Sequence, residues 1–193
     1  MARNDAGHFF TTTVTISEAY RERLRSLHDA LGIPANYMDT CALPLCEEPA
    51  ELVDTETDFY GRPQRLTREA FNAWTAMKSA AASDRIEIFL ISAFRDIDYQ
   101  HDVIKRKVEE GRSISEVLQA NAAPGYSEHH TGRAVDIGTP GCDALVEAFE
   151  NTPAFQWLKT NGNKHGFFMS YPRDNQLGIL YEPWHWCFRK PDK

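Results

Sequence analysis

His129 and Asp136 fall in one short segment, Pro124 to Ile137, and Glu182 and His185 fall in another, Tyr181 to Phe188. A neutral imidazole and a carboxylate are natural ligands for Zn²⁺. Three protein ligands plus a water is the usual arrangement of a catalytic zinc site, and a further carboxylate can then serve as a base. Taken singly, each residue has a plainer explanation: a buried Asp is usually a satisfied cap or ion pair, and a His beside Trp is usually packed. Two polar-aromatic segments that each hold one His and one acid point instead to a metal site, with packing kept as the alternative.

The elements around these residues must bring them together. Ala134 to Ile137 reads as a short strand. Its alternation puts Val135 and Ile137 toward a core, and Ala134 and Asp136 toward an opening. Gly132 lets the preceding loop turn back, so that His129 reaches the same space. Glu182 and His185 would point to opposite faces of a regular strand. Pro183 favours an irregular entry, and a turned backbone at 182–184 aims both groups at one point.

Further elements follow from caps and periodicity. Ser17 caps a first helix whose Ile16, Tyr20, Leu24, Leu27 and Leu31 share a face, and Gly32 and Pro34 end it. Residues 33–65 have no clear period and read as a long connection with a short hairpin. Thr67 caps a second helix with the apolar stripe Phe71, Trp74, Met77 and Ala81. Residues 86–91 form a nearly continuous apolar run, which predicts a central strand. A helix follows from Asp96 to Glu110, and Ser113 with Glu116 forms a capping box for the next. Residues 121–132 read as loop. One or two helices lie between Asp143 and Asn161, a strand from Gly166 to Tyr171, and a last strand from about His185 to Arg189. Helices and strands in blocks predict an α+β fold: a single domain over 1–193, with a central, mainly antiparallel sheet and flanking helices.

The 193 residues suffice for a core without staples. With 42% hydrophobic and 25% charged residues and a net charge of -7, the composition is that of a globular chain, and no basic run marks a nucleic-acid footprint. No apolar stretch of signal-peptide length follows Arg3, which predicts a cytoplasmic location, and no run is long enough to span a bilayer. Cys41, Cys46, Cys142 and Cys187 read as reduced thiols, with a Cys41–Cys46 bridge as the alternative.

The run Ser127-x-His129-x-x-Gly132-x-Ala134-x-Asp136, followed by Glu182-x-Trp184-His185, resembles the zinc-site pattern of the VanY-like D-alanyl-D-alanine carboxypeptidases. These are LAS metallopeptidases, and the LD-carboxypeptidases of LdcB type share the pattern. Ser92-Ala-Phe-Arg95 resembles the family's Ser-Gly-Tyr-Arg segment, Gln100 matches, and the segment from Gly166 to Pro172 is similar to the family's Gly-Phe…Tyr-Pro strand. The matches span about 86–189, the expected catalytic core; residues 1–85 form a helical N-terminal part that matches only loosely. The chain departs from the pattern at Ala93-Phe94, at His130 where Gln is common, and at Trp186-Cys187. His130 is expected to be a loop residue, since a fourth ligand would close the site to water. Cys187 is given no ligand role. His8, His28, His101 and His165 default to surface or structural roles.

The resemblance implies one Zn²⁺ per chain on His129, Asp136 and His185, with Glu182 as general base. It implies that Arg95 stabilises the developing oxyanion and that Arg95, Gln100, Ser127 and Tyr171 grip the substrate end. The implied reaction removes D-alanine from peptidoglycan stem peptides, so the partners are muropeptides. Trp184 and Trp186 read first as packing. A cytoplasmic enzyme would spare pentapeptide precursors if it cut only L,D bonds. The expected activity is therefore that of an LD-carboxypeptidase of peptidoglycan recycling, with a DD-carboxypeptidase as the alternative. An endopeptidase on the same fold, a non-catalytic, hedgehog-like zinc module and an interaction protein without metal are the remaining readings. The carboxylate-gripping Arg95 and Gln100 argue against the first, and Glu182 together with Arg95 argues against the second.

Overall fold

The computed structural model describes residues 16–190, so the expectation for His8 lies outside the described residues. Helix α1 (Glu18–Ala30) starts at Ser17, whose side chain accepts from the Tyr20 amide. It buries Leu24 and Leu27. A single turn, α2 (Tyr37–Thr40), follows. The connection then forms a hairpin of β1 (Val53–Thr57) and β2 (Pro63–Leu66). Asp58 organises the hairpin's turn: its buried carboxylate accepts from the amides of Tyr60 and Arg62 and from the side chains of Arg62 and Gln64.

Helix α3 (Arg68–Ser83), capped by Thr67, buries Ala70, Trp74, Met77 and Ala81. Strand β3 is Phe89–Ser92, α4 is Ile97–Glu109 and α5 is Ile114–Ala120. The capping box at Ser113 and Glu116 is formed. The segment 121–132 is mostly loop but holds one 3-10 turn, Glu128–Thr131. Strand β4 (Ala134–Gly138), α6 (Pro153–Asn161), β5 (Phe167–Met169) and β6 (His185–Phe188) complete the chain. Mixed helices and an antiparallel sheet match the expected α+β class.

The main sheet has the order β3-β4-β6-β5, with every pair antiparallel. The expected central strand is therefore an edge strand. Its paired part is also shorter, Phe89–Ser92, since Ile86 still donates to the Ala81 carbonyl in the turn that closes α3. The apolar run is explained by the hairpin, which covers this edge: the Phe59 amide donates to the Leu90 carbonyl, Arg62 donates to the Ile91 carbonyl, and Phe59 stacks on Phe89 at 5.0 Å. An edge covered in this way is buried like a central strand.

The two inner strands carry the chemistry. On one face Val135, Ile137, Trp186 and Phe188 join Trp74, Met77, Phe155, Leu158 and Phe167 in the larger core. The other face presents Ala134, Asp136, His185 and Cys187, since Asp136 pairs with His185 and Ala134 with Cys187. A second core, with Leu43, Ile104, Val117 and Tyr126, packs α4 and α5 beside that face.

His28 is structural. It is buried between the Tyr37 and Tyr126 rings, and its Nε2 donates to the Pro124 carbonyl at 2.8 Å. Burial lowers its pKa below the ordinary His value, against an opposing contribution from that hydrogen bond. The unfolded chain therefore takes up a proton first, at about pH 6.5. The neutral ring's contribution to stability is complete above that pH and is lost as pH falls toward the folded-state value. Chemical denaturation of His28→Gln, which keeps a donor but cannot titrate, should show a smaller loss of stability between pH 7.5 and 5 than wild type. Equal losses would remove His28 as the titrating group.

Candidate metal centre

His129, Asp136 and His185 offer ligand atoms that all lie within 4.8 Å of one another, and all three residues are buried. Each arrives from a different local structure. Ser127 starts the 3-10 turn by accepting from the His129 amide, and Gly132 ends it. Gly132 sits at φ 62°, and a Cβ there would lie 2.7 Å from Leu52 Cδ2. Only glycine meets both conditions, so the chain can reverse and deliver His129 beside β4. Asp136 comes from β4 by alternation. His185 follows a turn at 182–185 closed by its own amide on the Glu182 carbonyl, which brings Glu182 Oε2 to 3.9 Å from His185 Nδ1. Pro183 and this turn place the two groups on the same side, as the sequence predicts.

The hydrogen bonds decide which ring nitrogens face the centre. His129 Nδ1 lies 2.6 Å from the Ala93 carbonyl, which fixes it as the N–H. Its Nε2 is left without a hydrogen-bond partner, 3.3 Å from Asp136 Oδ2. His185 Nε2 lies 2.9 Å from Glu128 Oε2, and its Nδ1 lies 3.1 Å from Asp136 Oδ1. Imidazoles that ligate a metal usually donate their other N–H to a carbonyl or carboxylate. Both histidines have that partner here. The orphaned Nε2 and a doubly engaged carboxylate fit a divalent metal of borderline softness such as zinc.

Electrostatics fit the same description. Burial would raise Asp136, but His129 and His185 outweigh it and hold the carboxyl well below its usual range. Burial, with Arg95 adding to it, lowers His129 to about 4, against the pull of Asp136. Burial would also lower His185, but hydrogen bonds to Asp136 and Glu128 lift it to about 10. Glu182 is pushed up to about 7 by burial, with Asp136 adding to the rise and His185 opposing it.

The centre opens into a cleft of about 290 Å³, lined also by Arg95, Ser127, Tyr171, Glu182 and Trp184. Arg95 forms no ion pair among the described residues, and its Nε is buried without a partner. Gln100 stands behind the wall, where its Nε2 donates to the Ala122 carbonyl and its Oε1 has no partner. Tyr171 lies against His185, with ring centroids 4.8 Å apart. Trp186 belongs to the core and donates to the Pro183 carbonyl. His130 is fully buried and points away from the centre, with Nδ1 2.6 Å from the Arg95 carbonyl.

Glu128 is the site residue that sequence reasoning passes over. It sits between Ser127 and His129, and only the choice of ring nitrogen on His185 reveals its part.

This fold and site have the arrangement expected of the LAS class. The family model for VanY, D-alanyl-D-alanine carboxypeptidase, matches residues 63–191, and the chain belongs to that family. The match takes in β2 and α3 as well as the core. The chain is similar to the putative carboxypeptidase YodJ of Bacillus subtilis (strain 168), with 34% identity over 75% of this chain and 55% of that protein. It thus spans about half of that relative's length. Among solved structures it is similar to the LdcB LD-carboxypeptidase, with 34% identity, a TM-score of 0.65, and coverage of 73% of this chain and 69% of that one. The vancomycin resistance D,D-pentapeptidase VanY in complex with Zn(II) aligns with 25% identity, a TM-score of 0.59, and coverage of 76% and 87%.

If Glu128 orients His185, Glu128→Ala should weaken metal binding by about ten- to a hundredfold. Chelator competition measures this directly, and an unchanged affinity would reduce Glu128 to a packing role.

Proposed function

We propose that this chain is a zinc carboxypeptidase, with one zinc per chain on His129, Asp136 and His185, that releases C-terminal D-alanine from peptidoglycan stem peptides. The observation that supports it best is the meeting of three buried ligands, Glu182 and Arg95 in a single cleft. Bound zinc supplies a polarised carbonyl and an activated water.

The chain's own residues do the rest. Glu182, buried in the cleft beside His185, is placed to take the proton of the attacking water and pass it to the leaving amine. Arg95 presents a planar fork of donors to the substrate's terminal carboxylate, and its charge also favours the developing oxyanion. Ser127 and Tyr171 line the same cleft and orient the peptide end. Gln100 holds the Ala122 carbonyl and so shapes that wall. Trp184 packs the turn that aims Glu182.

Within this activity we assign the L,D bond of tetrapeptides as the preferred substrate. The 34% identity to the LdcB LD-carboxypeptidase supports that choice. The D,D bond of pentapeptides is the second reading, favoured by the family's D-alanyl-D-alanine specificity and by VanY itself.

Glu182→Gln should retain zinc but lose about two to four orders of magnitude in turnover, the range for removing a general base. Near-normal turnover with zinc bound would place the base elsewhere. When tetrapeptide and pentapeptide compete in one tube, D-alanine should leave the tetrapeptide faster. Faster loss from the pentapeptide would make the enzyme a DD-carboxypeptidase.

A further inference from the structure

Lys107 lines the same cleft as Arg95 and Glu182, and the activity proposed above gives it no role. It lies in the last turn of α4, half-buried, and its Nζ donates to Asn121 Oδ1 at 2.8 Å. Asn121, also in the cleft wall, is fixed in turn by donating to the Val117 carbonyl at 3.0 Å. Among the described residues Lys107 has no carboxylate in ion-pair contact. A cation at a helix C-terminus is stabilised by the helix dipole, but that role needs no burial and no side-chain clamp. A partly desolvated ammonium without a counter-charge is unfavourable unless a ligand supplies one. Burial, then Arg112 and Arg95, lowers its pKa, against the pull of Glu182 and Glu110.

The cleft therefore has two cations with separate anchors. Arg95 stands at the end of β3, against the metal centre, and Lys107 stands three helical turns further along α4 beside Asn121. One terminal carboxylate occupies Arg95 in the proposed reaction and leaves Lys107 unmatched. The same cleft is lined by Glu147, which pairs with the exposed Arg173 at 3.2 Å. A side chain bearing both an ammonium and a carboxylate at its far end would find charges of both signs in this cleft.

We infer that Lys107 and Asn121 form a subsite for a second carboxylate of the substrate, so that the enzyme selects stem peptides whose third residue is a diamino-dicarboxylic acid over those with a simple diamino acid. This rests on the carboxypeptidase reading and narrows its substrate class. Asn121 sets the ammonium's direction, and the charge-assisted hydrogen bond to the carboxylate supplies the discrimination.

The test uses the zinc-loaded full chain and two tetrapeptides that differ at one group: meso-diaminopimelate at position three with its side-chain carboxylate free, or with that carboxylate amidated. Wild type should cleave the free acid with a kcat/KM about tenfold or more above the amide, the range for a hydrogen bond to a charged group. In Lys107→Met that ratio should fall toward one, and Lys107→Arg should restore part of it. A merely structural Lys107 would lower both rates together and leave the ratio unchanged, which overturns the subsite. Equal rates on the two peptides in wild type overturn it as well and leave the carboxypeptidase reading intact. No cleavage of either peptide, of the lysine-containing equivalent, or of the corresponding pentapeptides sinks both.

Discussion

Asp136 and His185 face each other across the two inner strands of the sheet, and the site depends on that register. Burying a carboxylate costs several kcal/mol unless charges and donors surround it. Here His185 supplies a donor through Nδ1 at 3.1 Å. Slipping β6 by one residue against β4 would exchange His185 for Trp186 and turn the ligand into the core. The core works in the other direction too, since Val135, Ile137, Trp186 and Phe188 are buried only in this register.

Around this pair, backbone geometry replaces sequence proximity. The Ala93 carbonyl, just past β3, orients His129, and the left-handed Gly132 returns the chain to β4. The 3-10 turn that presents His129 also presents Glu128 to the far nitrogen of His185. One short segment thus supplies a ligand and the carboxylate that orients another ligand. The cleft receives its second half from α4 and the α5 end, which carry Lys107 and Asn121.

Much of this is legible in the residues. The alternation of Ala134 to Ile137 places Asp136 opposite the core because strand period is two, and Pro183 marks the turn that aims Glu182 and His185 together. The helices announce themselves through Ser17, Thr67 and Ser113. Position within the sheet is not legible. Residues 86–91 read as central because the run is apolar on both faces, while the β1–β2 hairpin is what buries that edge. Glu128 stays hidden because its part depends on a ring nitrogen, and Lys107 because a cation closing a helix looks ordinary. Gln100 matches a motif by spacing, yet its amide is turned to a backbone carbonyl behind the cleft wall.

The central claim is that two imidazoles and one carboxylate, and no thiolate, define the metal centre, although Cys187 shares their face of β6. X-ray absorption at the zinc edge of the zinc-loaded protein tests this most directly. The account predicts a first shell of nitrogen and oxygen only, at about 2.0–2.2 Å, with the outer-shell scattering of two imidazoles. A sulfur shell at about 2.3 Å, or the scattering of a single imidazole, would contradict it.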